Sequence, residues 1–226
     1  MRVYHYVSAH HGLQNLRKRR LKVSMLDNLN DPFDLVASWS VDPRHRDELA
    51  KLPTKLAKTR GMLCFSSETD NPVQWAHYSD RHRGLCLGFD VPDRALEKVK
   101  YAEKPISSGD LSQRRSASLE DNQWMLENLT TKFSHWSYEQ EWRRFVCLET
   151  ECVREGGLYF RPFDESLVLK EVLLGARTDL CSAELECVLA GYDGGIETHR
   201  MVKALDNSFR FVRQPLDANG NCAGRS

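Results

Sequence analysis

The chain has 226 residues, 41% of them hydrophobic, and its 32 basic and 32 acidic side chains leave a formal net charge of zero. That length suits one globular domain, and the balanced charge excludes a generally basic surface for nucleic acid, leaving local patches such as Arg17-Lys18-Arg19-Arg20 and Arg81-His82-Arg83. There is no apolar run long enough for a membrane span, Met1-Arg2-Val3-Tyr4-His5 lacks the apolar stretch of a secretory signal, and the seven cysteines are scattered without a C-x-x-C pair, so the expectation is a reduced, cytoplasmic protein with neither a disulfide framework nor a zinc site.

In chain order, Val3 to Ser8 reads as a first strand, with Val3, His5 and Val7 on one face and Tyr4, Tyr6 and Ser8 on the other. Ala9 to Arg20 reads as a helix whose basic run suits the negative end of the helix dipole. Leu21 to Ser24 is a short strand. Asn28-Leu29-Asn30-Asp31-Pro32-Phe33-Asp34 is a turn, because a residue before proline is pushed out of the helical region and Asp or Asn caps the free backbone. Asp42 to Arg60 is helical in pattern but is interrupted by Pro53.

Gly61 to Ser66 reads as a buried strand, Val73 to Ser79 as a helix capped by Asp70 or Asn71 with Pro72 in its first turn, and Leu85 to Phe89 as another strand. Trp75, Tyr78 and His82 then share a helix face, and Gly84 and Gly88 are places for close backbone approach. Glu103 to Leu119 reads as a mobile connection or lid, followed by a helix from Leu119 to Phe133. Later strands are expected at 158–160, 167–169 and 171–175, a helix at 183–190, and a hairpin from Thr198 to Arg213 over Asp206-Asn207. The expected architecture is a single α+β domain over residues 1–214, with a split or strongly curved, mainly antiparallel sheet, an insertion at about 103–133, and a frayed tail over 215–226.

The sequence carries no phosphate loop, no G-x-G-x-x-G, no G-x-S-x-G elbow and no H-E-x-x-H. The stretch that stands out is Ser137-Tyr138-Glu139-Gln140-Glu141-Trp142-Arg143-Arg144-Phe145. Read as a strand, it puts Glu139 and Glu141 on one face, where like charges repel unless Arg143 or a ligand lies between them. Such a pair is a means of making a base or an electrostatic stabiliser, and it is equally compatible with two solvated glutamates paired to Arg143 and Arg144. His77 and His82 are five residues apart, a poor spacing for two ligands on one helix face, so no metal is assigned.

Tyr4-His5-Tyr6, Asn30-Asp31-Pro32-Phe33-Asp34, Cys64-Phe65-Ser66, Trp75-Ala76-His77-Tyr78, Gly88-Phe89, Tyr138-Glu139-Gln140-Glu141-Trp142-Arg143 and Lys170-Glu171-Val172-Leu173-Leu174-Gly175, in this order, resemble a large, mainly bacterial family of unknown function, DUF2971. The layout is also distantly similar to the ADP-ribosyltransferase fold. That second resemblance implies NAD as substrate, with His5 and Tyr6 on the early strand holding ribose. It implies a nicotinamide pocket from Phe65, Ser66, Trp75 and Tyr78, catalytic glutamates at Glu141 and Glu139, and a pyrophosphate met by Arg2 or the Arg17–Arg20 run. The acceptor would be a protein, a nucleic acid or water, and the setting a toxin or phage-defence effector. No H-G-T motif stands on the first strand, and the Asn30–Asp34 motif has no standard counterpart there. Two other readings stay open. One is a non-catalytic binding module in which Arg143 or Arg144 caps Glu141 and no cavity exists. The other is a metal-dependent nuclease with Asp31 or Asp34 beside His77 and Glu139.

Overall fold

The computed structural model describes residues 1–35, 37–39, 42–107 and 123–216. In chain order the elements are β1 (Arg2–Val7), α1 (Ala9–Arg17), β2 (Arg20–Lys22), β3 (Ser24–Met25), β4 (Ser38–Trp39), α2 (Pro43–Ala50), α3 (Leu52–Leu56), β5 (Arg60–Ser66), α4 (Pro72–Tyr78) and β6 (Leu85–Asp90). They continue with β7 (Glu97–Lys98), β8 (Lys100–Ala102), β9 (Ile106–Ser107), α5 (Gln123–Leu129), β10 (Thr131–Phe133) and β11 (Glu141–Cys147). The last are β12 (Val153–Glu155), β13 (Leu158–Pro162), β14 (Val168–Leu174), α6 (Ser182–Leu189), β15 (Glu197–Lys203) and β16 (Phe211–Pro215). No helix among the described residues is long and apolar enough to cross a membrane, and the described cysteines are free thiols.

The architecture is α+β, built on a nine-stranded sheet in the order β16-β15-β14-β6-β1-β5-β11-β7, with β3 also on β5. Every pairing in it is antiparallel except β14 with β15. The strand–helix–strand unit β5–α4–β6 therefore straddles β1, which lies between its two strands. β1 pairs with β6 along its whole length, from Arg2↔Asp90 to Val7↔Leu85. It touches β5 in register only at Tyr4↔Ser66. The sheet splits at this seam, and the opening between β1 and β5 becomes the cleft described below.

Alternation along the strands sends apolar side chains to both faces. Val3, Leu85, Leu87, Phe89, Val172 and Leu174 join Leu13 and Leu16 of α1 and Leu185 of α6 in the larger core. On the other face Tyr4, Cys86, Leu173, Met201 and Phe211 pack around Trp75 of α4. α1 starts at Ser8, whose hydroxyl accepts from the His11 N–H, and Asn71 caps α4 by accepting from Val73 N–H, with Pro72 in the first turn. β14 is one strand, not two, with a bulge between Leu169 and Glu171.

Several expected helices are shorter than their sequence pattern, and α1 stops at Arg17, with Arg20 already in β2. α4 ends at Tyr78, because Asp80, Arg81 and His82 each take a left-handed conformation (φ 44°, 54° and 71°) and turn the chain back. As a result His82 packs on Phe211 and does not extend the face of Tyr78. α5 ends at Leu129, and Thr131–Phe133 leaves it to pair in parallel with Lys100–Ala102. Of the expected lid and the tail, residues 108–122 and 217–226 lie outside the described residues.

Gly84 and Gly88 mark close approaches, as their positions suggest. A Cβ on Gly84 would lie 2.1 Å from the Val7 carbonyl oxygen, and one on Gly88 3.0 Å from the Glu171 Cβ. Backbone cannot yield as a side chain does, so Gly84→Ala is expected to cost about 1–3 kcal/mol, read as a lowered midpoint in urea unfolding with an unchanged slope.

Candidate functional site: a carboxylate–lysine cluster in a split-sheet cleft

The cleft at the seam has a volume of about 270 Å³. Its floor and walls come from β1 (Tyr4, His5, Tyr6), β5 (Met62, Cys64, Phe65, Ser66), the Asn28–Asp34 loop, and Gln74, Tyr78, Lys132, Glu139 and Glu141. Glu139 and Glu141 do not sit two apart on one strand face as the sequence pattern suggests. Ser134–Glu139 form a 3-10 turn, Gln140 is left-handed (φ 45°), and the strand begins only at Glu141. The two carboxylates converge from different elements on a single cation, Lys132.

Lys132 Nζ lies 2.6 Å from Glu139 Oε2, 3.1 Å from Glu141 Oε2 and 3.5 Å from Asp34 Oδ2. Behind it, Arg143 grips Glu141 through two contacts, Nε to Oε1 at 2.8 Å and an NH2 nitrogen to Oε2 at 2.9 Å. The guanidinium also reaches Asp34 at 2.9 Å and the buried Leu129 carbonyl, at the C-terminal end of α5, at 2.6 Å. All five charged groups are nearly buried, Arg143 completely. Like-charge repulsion between the carboxylates is thus offset by two cations, and the residual formal charge is one negative when all are ionised.

The two glutamates have opposite proton affinities. Burial pushes Glu141 up, but Arg143 and Lys132 together outweigh it and hold its pKa at about 2. At Glu139 burial wins, and its pKa is raised despite Lys132 and the Tyr78 hydroxyl, which donates to Oε1. Two neighbouring carboxyl groups whose environments separate them in this way are suited to different tasks, one a fixed anion and the other a proton carrier. The depressed value at Glu141 has a consequence for folding. It favours the folded state above the unfolded carboxylate value near 4.5 and is lost as pH falls from there towards 2. Acid titration of the urea midpoint is expected to show a loss on the order of 3 kcal/mol over that window, and Glu141→Gln is expected to flatten it.

His5 is half-buried at the seam, desolvation there lowers its pKa, and its Nδ1 donates to the Cys64 carbonyl at 3.0 Å. It is therefore a neutral imidazole bridging the seam, with Nε2 as its acceptor. The Tyr6 hydroxyl is committed to the Glu68 carbonyl at 2.9 Å and the Ser66 hydroxyl accepts from the Glu68 N–H at 3.0 Å, so both shape the wall. Phe65 is buried against His5 and Phe89. Tyr78 is half-buried and also takes a hydrogen bond from the Asn30 side chain. Gln74 holds the Tyr138 carbonyl at 2.6 Å, which ties α4 to the turn that presents Glu139.

One expected pocket residue is not there. Trp75 is fully buried with its indole N–H on the Thr69 carbonyl at 2.7 Å, and its ring packs on Tyr6 and Phe211, so it supports the wall from behind. The expected pyrophosphate cations also lie elsewhere. Arg2 pairs with Asp90, Arg17 with Glu184, Lys18 and Arg20 with Glu155, and Arg19 with the Gly191 carbonyl; none of them lines the cleft. His77 contacts Tyr138 and does not join Asp34 and Glu139. The capped and open states of Glu141, which separate a binding module from an enzyme, coexist: Arg143 caps it from behind and the cleft opens in front.

The residues that converge here include Tyr78, Lys132, Glu139, Glu141 and Arg143, all within one contiguous stretch. Residues 74–144 match the family described as Protein of unknown function (DUF2971). The DUF2971 match thus spans the glutamates and both cations, and lies downstream of His5 and Asp34, which the fold brings to them. No curated protein and no solved structure matches the chain.

Away from the cleft, Glu171, Glu197 and His199 bring donor atoms within 4.8 Å of one another. Arg213 lies 3.0 Å and Arg2 3.9 Å from the buried Glu171 carboxylate, so arginines already supply the positive charge at that place.

Proposed function

We propose that the cleft is the active site of an ADP-ribosyltransferase-like enzyme that cleaves the nicotinamide–ribose bond of NAD and passes ADP-ribose to a protein or nucleic-acid acceptor or to water. The observation that carries this reading is the pair of glutamates in one cleft, one held anionic and the other with raised proton affinity. As the C1′–N bond breaks, its electron pair goes to the nicotinamide ring nitrogen and neutralises the pyridinium. Positive charge then grows on the ribose, and the net negative cluster around Glu141 stabilises it. The acceptor O–H attacks C1′ and its proton passes to Glu139. His5 Nε2 is an acceptor for a ribose hydroxyl, and Tyr78 is the aromatic group beside Glu139 for the nicotinamide ring. A toxin or phage-defence role is the biological setting we attach to this chemistry.

The test is to incubate the purified protein with NAD, with and without cell extract, and to follow nicotinamide release beside a Glu141→Ala control. Release that the control abolishes supports the reading. No release, together with no NAD binding by calorimetry, would remove it. A metal-dependent nuclease is the second reading, favoured by the convergence of Asp34, Glu139 and Glu141. Lys132 Nζ occupies the centre of those carboxylates, so a divalent ion would have to displace it. Mg²⁺- or Mn²⁺-dependent cleavage of DNA or RNA would decide for it.

A further inference from the structure

We propose that Phe33 is a stacking platform at the cleft rim for the nucleobase at the far end of the ligand. The proposal rests on the NAD reading above and adds the residue that recognises the adenosine half. The first observation is size. A cleft of about 270 Å³ is smaller than the roughly 300–1,000 Å³ of pockets that enclose a drug-sized ligand. It has room for a nicotinamide–ribose unit, and the rest of a dinucleotide must run out across the rim.

The second observation is the loop that forms the rim. Asn28, Leu29, Asn30 and Asp34 line the cleft, and Phe33 stands between the last two with 78% of its surface exposed. The exposure is not that of a loose segment. Asp31 Oδ1 accepts from the Phe33 N–H at 2.9 Å, Asp34 N–H donates to the Asp31 carbonyl at 3.1 Å, and Pro32 fixes the backbone between them. Asp34 is locked to Arg143 and Lys132. Leu35 is buried in a left-handed conformation (φ 62°), a strained state for a branched aliphatic that its packing enforces. Asn30 is tied to Tyr78. A large apolar ring is thus held in water by a rigid turn anchored at both ends to the catalytic cluster. Such a ring loses little freedom when a planar ligand stacks on it.

The experiment is calorimetric titration of wild type, Phe33→Ala and Phe33→Trp with three ligands: NAD, ADP-ribose and nicotinamide riboside. The expected result is that Phe33→Ala weakens NAD and ADP-ribose about tenfold or more, as loss of a base–aromatic stack does. It should leave nicotinamide riboside unchanged, and Phe33→Trp should keep wild-type affinity. Unchanged NAD binding in Phe33→Ala, or an equal loss for all three ligands, overturns the platform while leaving the active-site reading in place. Wild type that binds none of the three overturns both.

Discussion

Arg143→Met is expected to destabilise the fold by about 3–5 kcal/mol, because removing one partner of a buried ion cluster leaves the others uncompensated. Arg143 is fully buried and bonds Glu141 twice, Asp34 and the last carbonyl of α5. Without it, three carboxylates share one lysine, and the Leu129 carbonyl loses its donor. Urea unfolding would register the loss as a lower midpoint. A triple variant, Asp34→Leu/Glu141→Leu/Arg143→Met, should recover much of the stability, since apolar groups of similar size replace a buried charge network at little cost or with a gain. That triple variant should be inactive. If it stays as unstable as the single variant, the cluster is primarily a structural brace.

Glu141→Gln should lower turnover by at least about a hundredfold while NAD still binds, as expected when a transition-state charge interaction is removed from a site whose shape survives. Glutamine keeps the length and can still accept from Arg143, which makes it a better probe than alanine, and far-UV circular dichroism would verify the fold. Glu139→Gln provides the contrast. It mimics the protonated form, which burial penalises less than the carboxylate, so it should unfold less readily than Glu141→Gln and lose the acid limb of the pH–rate profile. Equal losses of binding and turnover in Glu141→Gln would mean that Glu141 holds the ground state and does no more.

Much of the fold was legible in the sequence because it rests on local signals. The alternation of Val3, His5 and Val7, the proline in the first turn of α4, and the apolar runs of β5 and β6 each specify their element with no help from elsewhere. The glutamates were legible for a different reason: a repeated like charge demands an explanation. What supplied it was not. Lys132 falls in a pattern that reads as the end of a helix, and it leaves that helix only because Thr131–Phe133 finds a parallel partner in Lys100–Ala102. Asp34 reaches Arg143 across 109 positions of chain, a distance over which no spacing rule operates. The like-charged pair itself held the missing clue, since it required a cation and a lysine stands seven residues before Glu139. Trp75 shows the converse: an aromatic on a helix that borders a pocket looks the same in sequence whether it faces the ligand or the core behind it.

The position of β1 between β5 and β6 also bears on how the protein is made. Among the described strands β1 is synthesised before the others, and it ends up flanked on both sides, while its full-length partner, β6, is complete only at Asp90. At translation speeds of 5–20 residues per second, synthesis of the intervening stretch takes about 4–17 s. During that time Tyr4, Tyr6 and the valines beside them lack their full-length partner, with only the Tyr4–Ser66 pairing to β5 on offer once residue 66 is made. Nascent chains arrested before residue 90 should therefore be good chaperone clients and prone to aggregate, and those extended past it should not be rescued fully until β14 closes the outer side of β6.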